Sequence, residues 1–189
     1  MMKKILLSIV IILILASCSK PAINFEYELN EDTNEITITG YKSDTKISEF
    51  DNVKIPADID GYPVVGIKDM AFLNLYIESV EIPDSVWVIG EKAFAYCVKL
   101  YKVTLSNNLS SISNGMFMGC ALRSITIPES VTTIGNLAFS YCSELKNINI
   151  PESVISIGKS AFYGCYSLSD EVKEHILQIN PEAFDDPEI

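Results

Sequence analysis

Histidine occurs once in this chain, at His175, and a lone imidazole with no nucleophile at matched spacing builds no catalytic triad. The patterns G-x-S-x-G, H-E-x-x-H and G-x-G-x-x-G are missing, which removes the nucleophile elbow, the zinc-protease helix and the dinucleotide-binding turn. Cations are scarce as well. Fourteen Lys and Arg stand against 25 Asp and Glu, a net charge of −11, whereas nucleic-acid affinity rests on clustered cations that release counterions from phosphates. DNA and RNA are therefore not expected as partners. No apolar run reaches the ~20 residues of a membrane-spanning helix. The longest, Ile5 to Ala16, follows Lys3 and Lys4 and runs into small residues, the layout of a secretory signal peptide.

That run ends in Leu15-Ala16-Ser17-Cys18, which resembles the bacterial lipobox. The resemblance implies a signal peptide over residues 1–17, cleavage before Cys18, and lipidation of Cys18 as the new N-terminus. Residues 18–23 would then link a lipid anchor to the protein, which sits on a membrane that it does not cross. Ser19-Lys20 do not look like an acidic inner-membrane retention signal, so a place in the cell envelope, at the outer membrane or cell surface, is expected. Cleavage removes two lysines and no acid, leaving 12 cations against 25 acids, a charge of −13. The remaining ~170 residues suffice for one domain with a core.

Gly158-Lys159-Ser160 spells the end of a P-loop, but that motif needs a second glycine five residues earlier, where Ser153 stands. A repeat explains the letters better. "ESVEIPDSVWVIGEKAFAYCVKL" from Glu78, "YKVTLSNNLSSISNGMFMGCAL" from Tyr101, "RSITIPESVTTIGNLAFSYCSEL" from Arg123 and "KNINIPESVISIGKSAFYGCYSL" from Lys146 are copies of one sentence. Phe72, Phe94, Phe117, Phe139 and Phe162 recur every 22 or 23 residues, and Cys97, Cys120, Cys142 and Cys165 recur with them. Gly90, Gly135 and Gly158 fill one slot, held by Ser113 in the odd copy, so the GKS is that slot plus two variable positions.

Each copy opens with alternating apolar residues, such as Ile125 and Ile127, the period of a short strand, which Pro128 then ends for want of an N–H. "SVTTIG" reads as a second extended stretch, and "NLAFSYC" as a helical turn burying Ala138, Phe139 and Cys142. One copy cannot bury its apolar face alone, so stacked copies must share a core. The wording "IPxSVxxIGxxAFxxC" resembles the leucine-rich repeats of the BspA type over about residues 24–185. A leucine-rich repeat solenoid is expected: short β-strands with short helical turns, right-handed, in repeats of 22–23 residues. Its parts would be an N-terminal β cap at 24–46, about five repeats at 47–168, and a C-terminal capping helix with a partial repeat at 169–189. Ser169 would start that helix, with Asp170 and Glu171 in its first turn.

Asp58-Ile59-Asp60-Gly61 carries a fragment of a calcium loop but lacks its later acidic ligands, and a Gly-containing turn in a three-residue insertion fits better. Cysteines 22 or 23 residues apart give none of the close pairs of a zinc site. Stacking would set them in a ladder of buried thiols, with an inter-repeat disulfide as the alternative. Neither metal nor cofactor is expected, and with carboxylates scattered rather than paired, neither is enzymatic activity.

Function is left to surface. Residues flanking the buried positions of the first strand face outward, so each copy adds a row: Glu78, Ser79 and Glu81; Tyr101, Lys102 and Thr104; Arg123, Ser124 and Thr126; Lys146, Asn147 and Asn149. Tyr101 and Arg123 are the residue types that anchor interfaces. Trp87 takes a slot held elsewhere by Ser110 and Thr132, as a partner contact or as a cap-covering residue. Proteins of the resembled family include adhesins that bind host extracellular proteins such as fibronectin and fibrinogen. The resemblance thus implies attachment to a host matrix or plasma protein; the alternative is a periplasm-facing structural or assembly lipoprotein that binds a partner of its own cell.

Overall fold

The computed structural model describes residues 25–41 and 51–187. The signal peptide, Cys18, the linker and residues 42–50 of the cap and first repeat lie outside them. The chain enters as an antiparallel hairpin of β1 (Phe25–Asn30) and β2 (Glu35–Tyr41). Next come β3 (Asp51–Lys54), β4 (Asp58–Ile59) and β5 (Tyr62–Ile67). Every later copy gives a strand pair: β6 (Ile77–Glu81) and β7 (Val88–Ile89), β8 (Lys102–Thr104) and β9 (Ser111–Ile112), β10 (Ser124–Thr126) and β11 (Thr133–Ile134), β12 (Asn147–Asn149) and β13 (Ser156–Ile157). Helix α1 (Asp170–Ile179) follows, its first turn capped by Ser169 Oγ, which accepts the Val172 N–H.

Stacking follows from burial. Val53, Val80, Val103, Ile125 and Ile148 sit inside, one per coil, and each has only the next coil to pack against. β3, β6 and β8 form one parallel sheet, continued by β10 and β12; on a second side β2, β5 and β7 run parallel, followed by β9, β11 and β13. The result is a β-solenoid of about five turns. A spine of phenylalanines runs through it: the rings of Phe72, Phe94, Phe117, Phe139 and Phe162 stack 4.9–5.7 Å apart and within 18° of parallel. Phe25 and Tyr41 close the spine at one end and Phe184 at the other.

The third side differs from the expected helical turn. Phe139 N–H donates to Ala161 of the next coil (2.8 Å), Ser140 N–H returns to Leu137 (3.1 Å), and Tyr141 N–H goes outward again to Tyr163 (2.6 Å). Alternate amides therefore hold the neighbouring coil, which a helix would forbid by keeping every amide for itself. The alternation needs left-handed backbone at two positions per copy, and Leu137 (φ 59°) and Tyr141 (φ 61°) adopt it without glycine. Asp58–Gly61 is a tight turn joining β4 to β5, with Gly61 N–H on Asp58 Oδ1 (3.3 Å) and Gly61 at φ 86°.

Copies differ by one residue at the corner after this side. Cys97, Cys142 and Cys165 are followed by two residues and then leucine, whereas Leu75-Tyr76-Ile77 and Cys120-Ala121-Leu122 have one residue between. In both short places the next strand meets its predecessor irregularly. The β3–β6 register shifts between Asp51 and Asn52. β8 and β10 form no ladder and are joined through Arg123 N–H on the Tyr101 carbonyl (3.4 Å).

Candidate protein-binding face

With Val80, Val103, Ile125 and Ile148 turned inward, the pleat turns their neighbours out. Ser79 stands beside Lys102 and Glu81 beside Thr104; Ser124 stands beside Asn147 and Thr126 beside Asn149. Glu78, Tyr101, Arg123 and Lys146 form a third column at the strand starts, each N–H donating to the preceding member's carbonyl at 3.0–3.4 Å. The structure thus gathers all twelve sequence-predicted residues on one side. It also adds a row, Asn52 and Lys54 of β3, whose signal was the same alternating frame in "DNVKIP".

The rows are not equivalent. At the N-terminal end the side chains bind one another: Lys54 Nζ lies 3.3 Å from Glu81 Oε2, and Ser79 Oγ donates to Asn52 Oδ1 (2.6 Å). Asn149 serves the fold, its Oδ1 accepting the Ile127 N–H (2.9 Å) where a strand carbonyl would otherwise act. In the middle the two expected anchors meet. The Arg123 guanidinium carbon lies 5.6 Å from the centre of the Tyr101 ring, and Arg123 Nε is 3.4 Å from Glu144 Oε2. All three groups are exposed, so this cation–π pair is set in place without being used up by the core.

Beyond it lies an open depression of about 370 Å³, lined by Ser124, Thr126, Lys146, Asn147 and Asn149 and walled by Ser169 and Val172 at the start of α1. The sequence did not announce that wall, because the helix replaces the strand a further copy would have supplied. Trp87 lies on the other sheet, its main-chain N–H donating to the Val65 carbonyl (3.0 Å), and it is 53% exposed.

The remaining sequence motifs resolve into structure. Gly158 packs so closely on the preceding coil that a Cβ there would lie 2.3 Å from the Asn136 amide nitrogen; Gly90 and Gly135 show the same squeeze against Asp69 and Asn114. Lys159 N–H donates to Asn136 Oδ1 (2.9 Å), as Asn136 N–H does to Asn114 and Glu91 N–H to Asp69. The letters GKS are one step of this side-chain ladder. The cysteines make another: Cys97, Cys120, Cys142 and Cys165 are free thiols that donate to the carbonyls of Phe72, Phe94, Phe117 and Phe139 at 3.0–3.1 Å. Burial pushes Cys97 and Cys165 up to about 12, and Cys120 and Cys142 also rise well above the ordinary thiol range. Thiols held in that form are poor nucleophiles and poor ligands. Among the described residues no group of three or more His, Cys, Asp or Glu is placed to hold a metal ion, and His175 is exposed on α1.

The surface and the core both follow a repeat grammar that other proteins share. Residues 2–19 match the prokaryotic membrane lipoprotein lipid attachment site, and among the described residues no helix is long and apolar enough to cross a membrane. Among curated proteins, none matches. Among solved structures, a leucine-rich cell surface protein of Faecalibacterium prausnitzii is 31% identical, with a TM-score of 0.69 over 88% of this chain and 42% of its own. The chain thus spans less than half of that protein. A leucine-rich repeat protein of T. pallidum is 26% identical, with a TM-score of 0.53 over 85% of this chain and 95% of its own. The pneumococcal vaccine antigen PcpA, 22% identical with a TM-score of 0.63 over 77% of this chain and 41% of its own, shares the fold. Residues 65–188 match the BspA type leucine rich repeat region in six copies, and with two thirds of its length so accounted for, the chain belongs to the BspA-type leucine-rich repeat family.

Proposed function

We propose that this protein is a non-enzymatic lipoprotein, anchored through Cys18, that binds another protein on the outward face of its first sheet and serves adhesion at the cell surface. The observation that carries the reading is the Tyr101–Arg123 pair, held exposed where the two parts of the polar platform meet. Tyr and Arg are the types that dominate interface energetics, and a guanidinium already laid on its ring gives up little freedom on binding. Five coils at ~5 Å each make a platform of ~25 Å, enough for one interface of ~800 Å² per partner. Lys146 and the Ser/Thr/Asn depression beside the pair supply the hydrogen-bonding rim. No cofactor is needed. A host matrix or plasma protein is the partner class, supported by the cell-surface place of the Faecalibacterium prausnitzii relative.

Protease treatment of intact cells, followed with an antibody to the C-terminal segment, tests the location. Loss from intact cells is expected. Survival until lysis would turn the search to a partner in the same envelope. For the face, Tyr101→Ala with Arg123→Ala is expected to weaken capture of the matrix partner at least tenfold, about 1.4 kcal/mol, with an unchanged melting temperature. Unchanged capture would move the site off this sheet.

A further inference from the structure

Among the described residues Trp87 is the one aromatic member of its column. The later members are Ser110, Thr132 and Ile155; Trp87 is 53% exposed, Val88 next to it 45%, and Ile155, three coils on, 78%. Val88 lies over Gly66, Trp87 is bonded through its main-chain N–H to the Val65 carbonyl, and Tyr62, at the start of the same strand β5, is 36% exposed. Strands β5 and β7 thus present an apolar, aromatic patch near the N-terminal end of the solenoid.

We propose that this patch rests on the lipid surface that holds the anchor, an inference that depends on lipidation of Cys18. Reach decides it. The seven residues from Cys18 to Phe25 span at most ~25 Å at ~3.5 Å each. From β1 the sheet runs β1-β2-β5-β7, so Trp87 lies about three strand spacings, ~14 Å, from the strand where the tether enters. A tether this short keeps that end of the molecule at the bilayer. The exposed Tyr141, Ile155 and Tyr166 lie two and three coils farther along, so they stand farther from the strand where the tether enters. Tryptophan and tyrosine favour the interfacial zone, where a ring is buried while its N–H or O–H stays wet. An apolar contact at the interface adds buried area to whatever the acyl chains bury, and the patch provides one. Glu31 and Asp32 in the turn joining β1 to β2 lie at the Tyr62 end of the sheet, so the contact favours zwitterionic over anionic lipid. So docked, the sheet bearing Tyr101 and Arg123 stands on another side of the solenoid, free for a partner.

Trp87 is the only tryptophan, so its fluorescence reports the contact directly. The full-length lipidated protein is put into phosphatidylcholine vesicles, floated to score the anchor, and its emission compared in ordinary lipid and in lipid brominated near the headgroup. An apolar contact sunk ~5–10 Å into the interface should be quenched about twofold by the brominated lipid. Val88→Asp, at an exposed position, should float equally and lose that quenching. Phosphatidylglycerol added to the vesicles should reduce it. Flotation with identical emission in the two lipids would overturn the contact, keep the anchor, and leave the patch to a protein partner. Failure to float would remove both anchor and contact.

Discussion

At the scale of single residues the molecule is governed by how closely adjacent coils approach. Gly158 is the sharpest case, because a methyl there would lie 2.3 Å from the Asn136 backbone nitrogen and 2.6 Å from the Gly135 carbonyl carbon, and backbone cannot swing aside as a side chain can. Gly158→Ala should cost about 2–4 kcal/mol, while Lys159→Ala, at an exposed position whose amide makes the structural bond, should stay within ~0.5 kcal/mol. Thermal unfolding checks both, and a large loss from Lys159→Ala would contradict the ladder. The thiols are governed by burial. Cys97 and Cys165 keep their protons up to about 12 in the folded chain, whereas an unfolded thiol releases its own near ~8.5. The stability they lend is complete below that unfolded value and drains away as pH climbs from there to about 12. Denaturant midpoints should accordingly fall with pH above ~9, and a thiol-reactive dye should label the native protein no faster than it unfolds.

Elements are held by spines that cross every coil. Phe117 stacks between Phe94 and Phe139 at 5.7 Å on each side, so Phe117→Ala leaves a void in the middle of the column and should cost about 3–5 kcal/mol. Phe184, half-buried and packed on Phe162 at one end, should cost clearly less when changed to Ala. Because coils contact mainly their neighbours, the Phe117 variant should also unfold less cooperatively, which a reduced denaturant slope would reveal. An equal loss at both positions would argue against a spine. Much of this was legible beforehand: the spacing of Phe, Cys and Gly carried the stacking, and alternation carried the strands and the outward rows. What escaped was bonding between coils. Ala138, Phe139 and Cys142 have spacings that a helical turn also satisfies, and nothing in "NLAFSYC" says that Phe139 gives its amide to Ala161. Leu137 and Tyr141 carry no glycine to signal left-handed backbone. On the candidate face, repeat arithmetic placed Tyr101 beside Arg123, but the use of Asn149 by Ile127 depends on the exposed end of a strand and could not be read from spacing.

A solenoid as a whole must solve the problem of its two ends, since a parallel stack leaves strand edges and core rings uncovered at each. The described N-terminal end is closed by the β1–β2 hairpin, with Phe25 and Tyr41 against Phe72. At the other end α1 takes the place of a strand: Ile176 is fully buried, Asn180 Nδ2 donates to the Ile157 carbonyl of β13 (2.8 Å), and Phe162 N–H finds the Ala183 carbonyl (2.8 Å). Residues 169–187 therefore act as a stopper that satisfies polar groups and covers the last ring together. Removing them should leave the Phe162 ring, the Ile157 carbonyl and the edge of β13 open to a second molecule. The truncated chain is expected to associate as its concentration rises and to melt several degrees lower, whereas Asn180→Ala alone should cost only ~1 kcal/mol and remain monomeric. Sedimentation across a concentration series separates the two, because loss of one hydrogen bond weakens the end and loss of the whole segment exposes it. A truncated chain that stays monomeric at every concentration would mean that β13 is too short an edge to template another strand, and that the segment contributes packing alone.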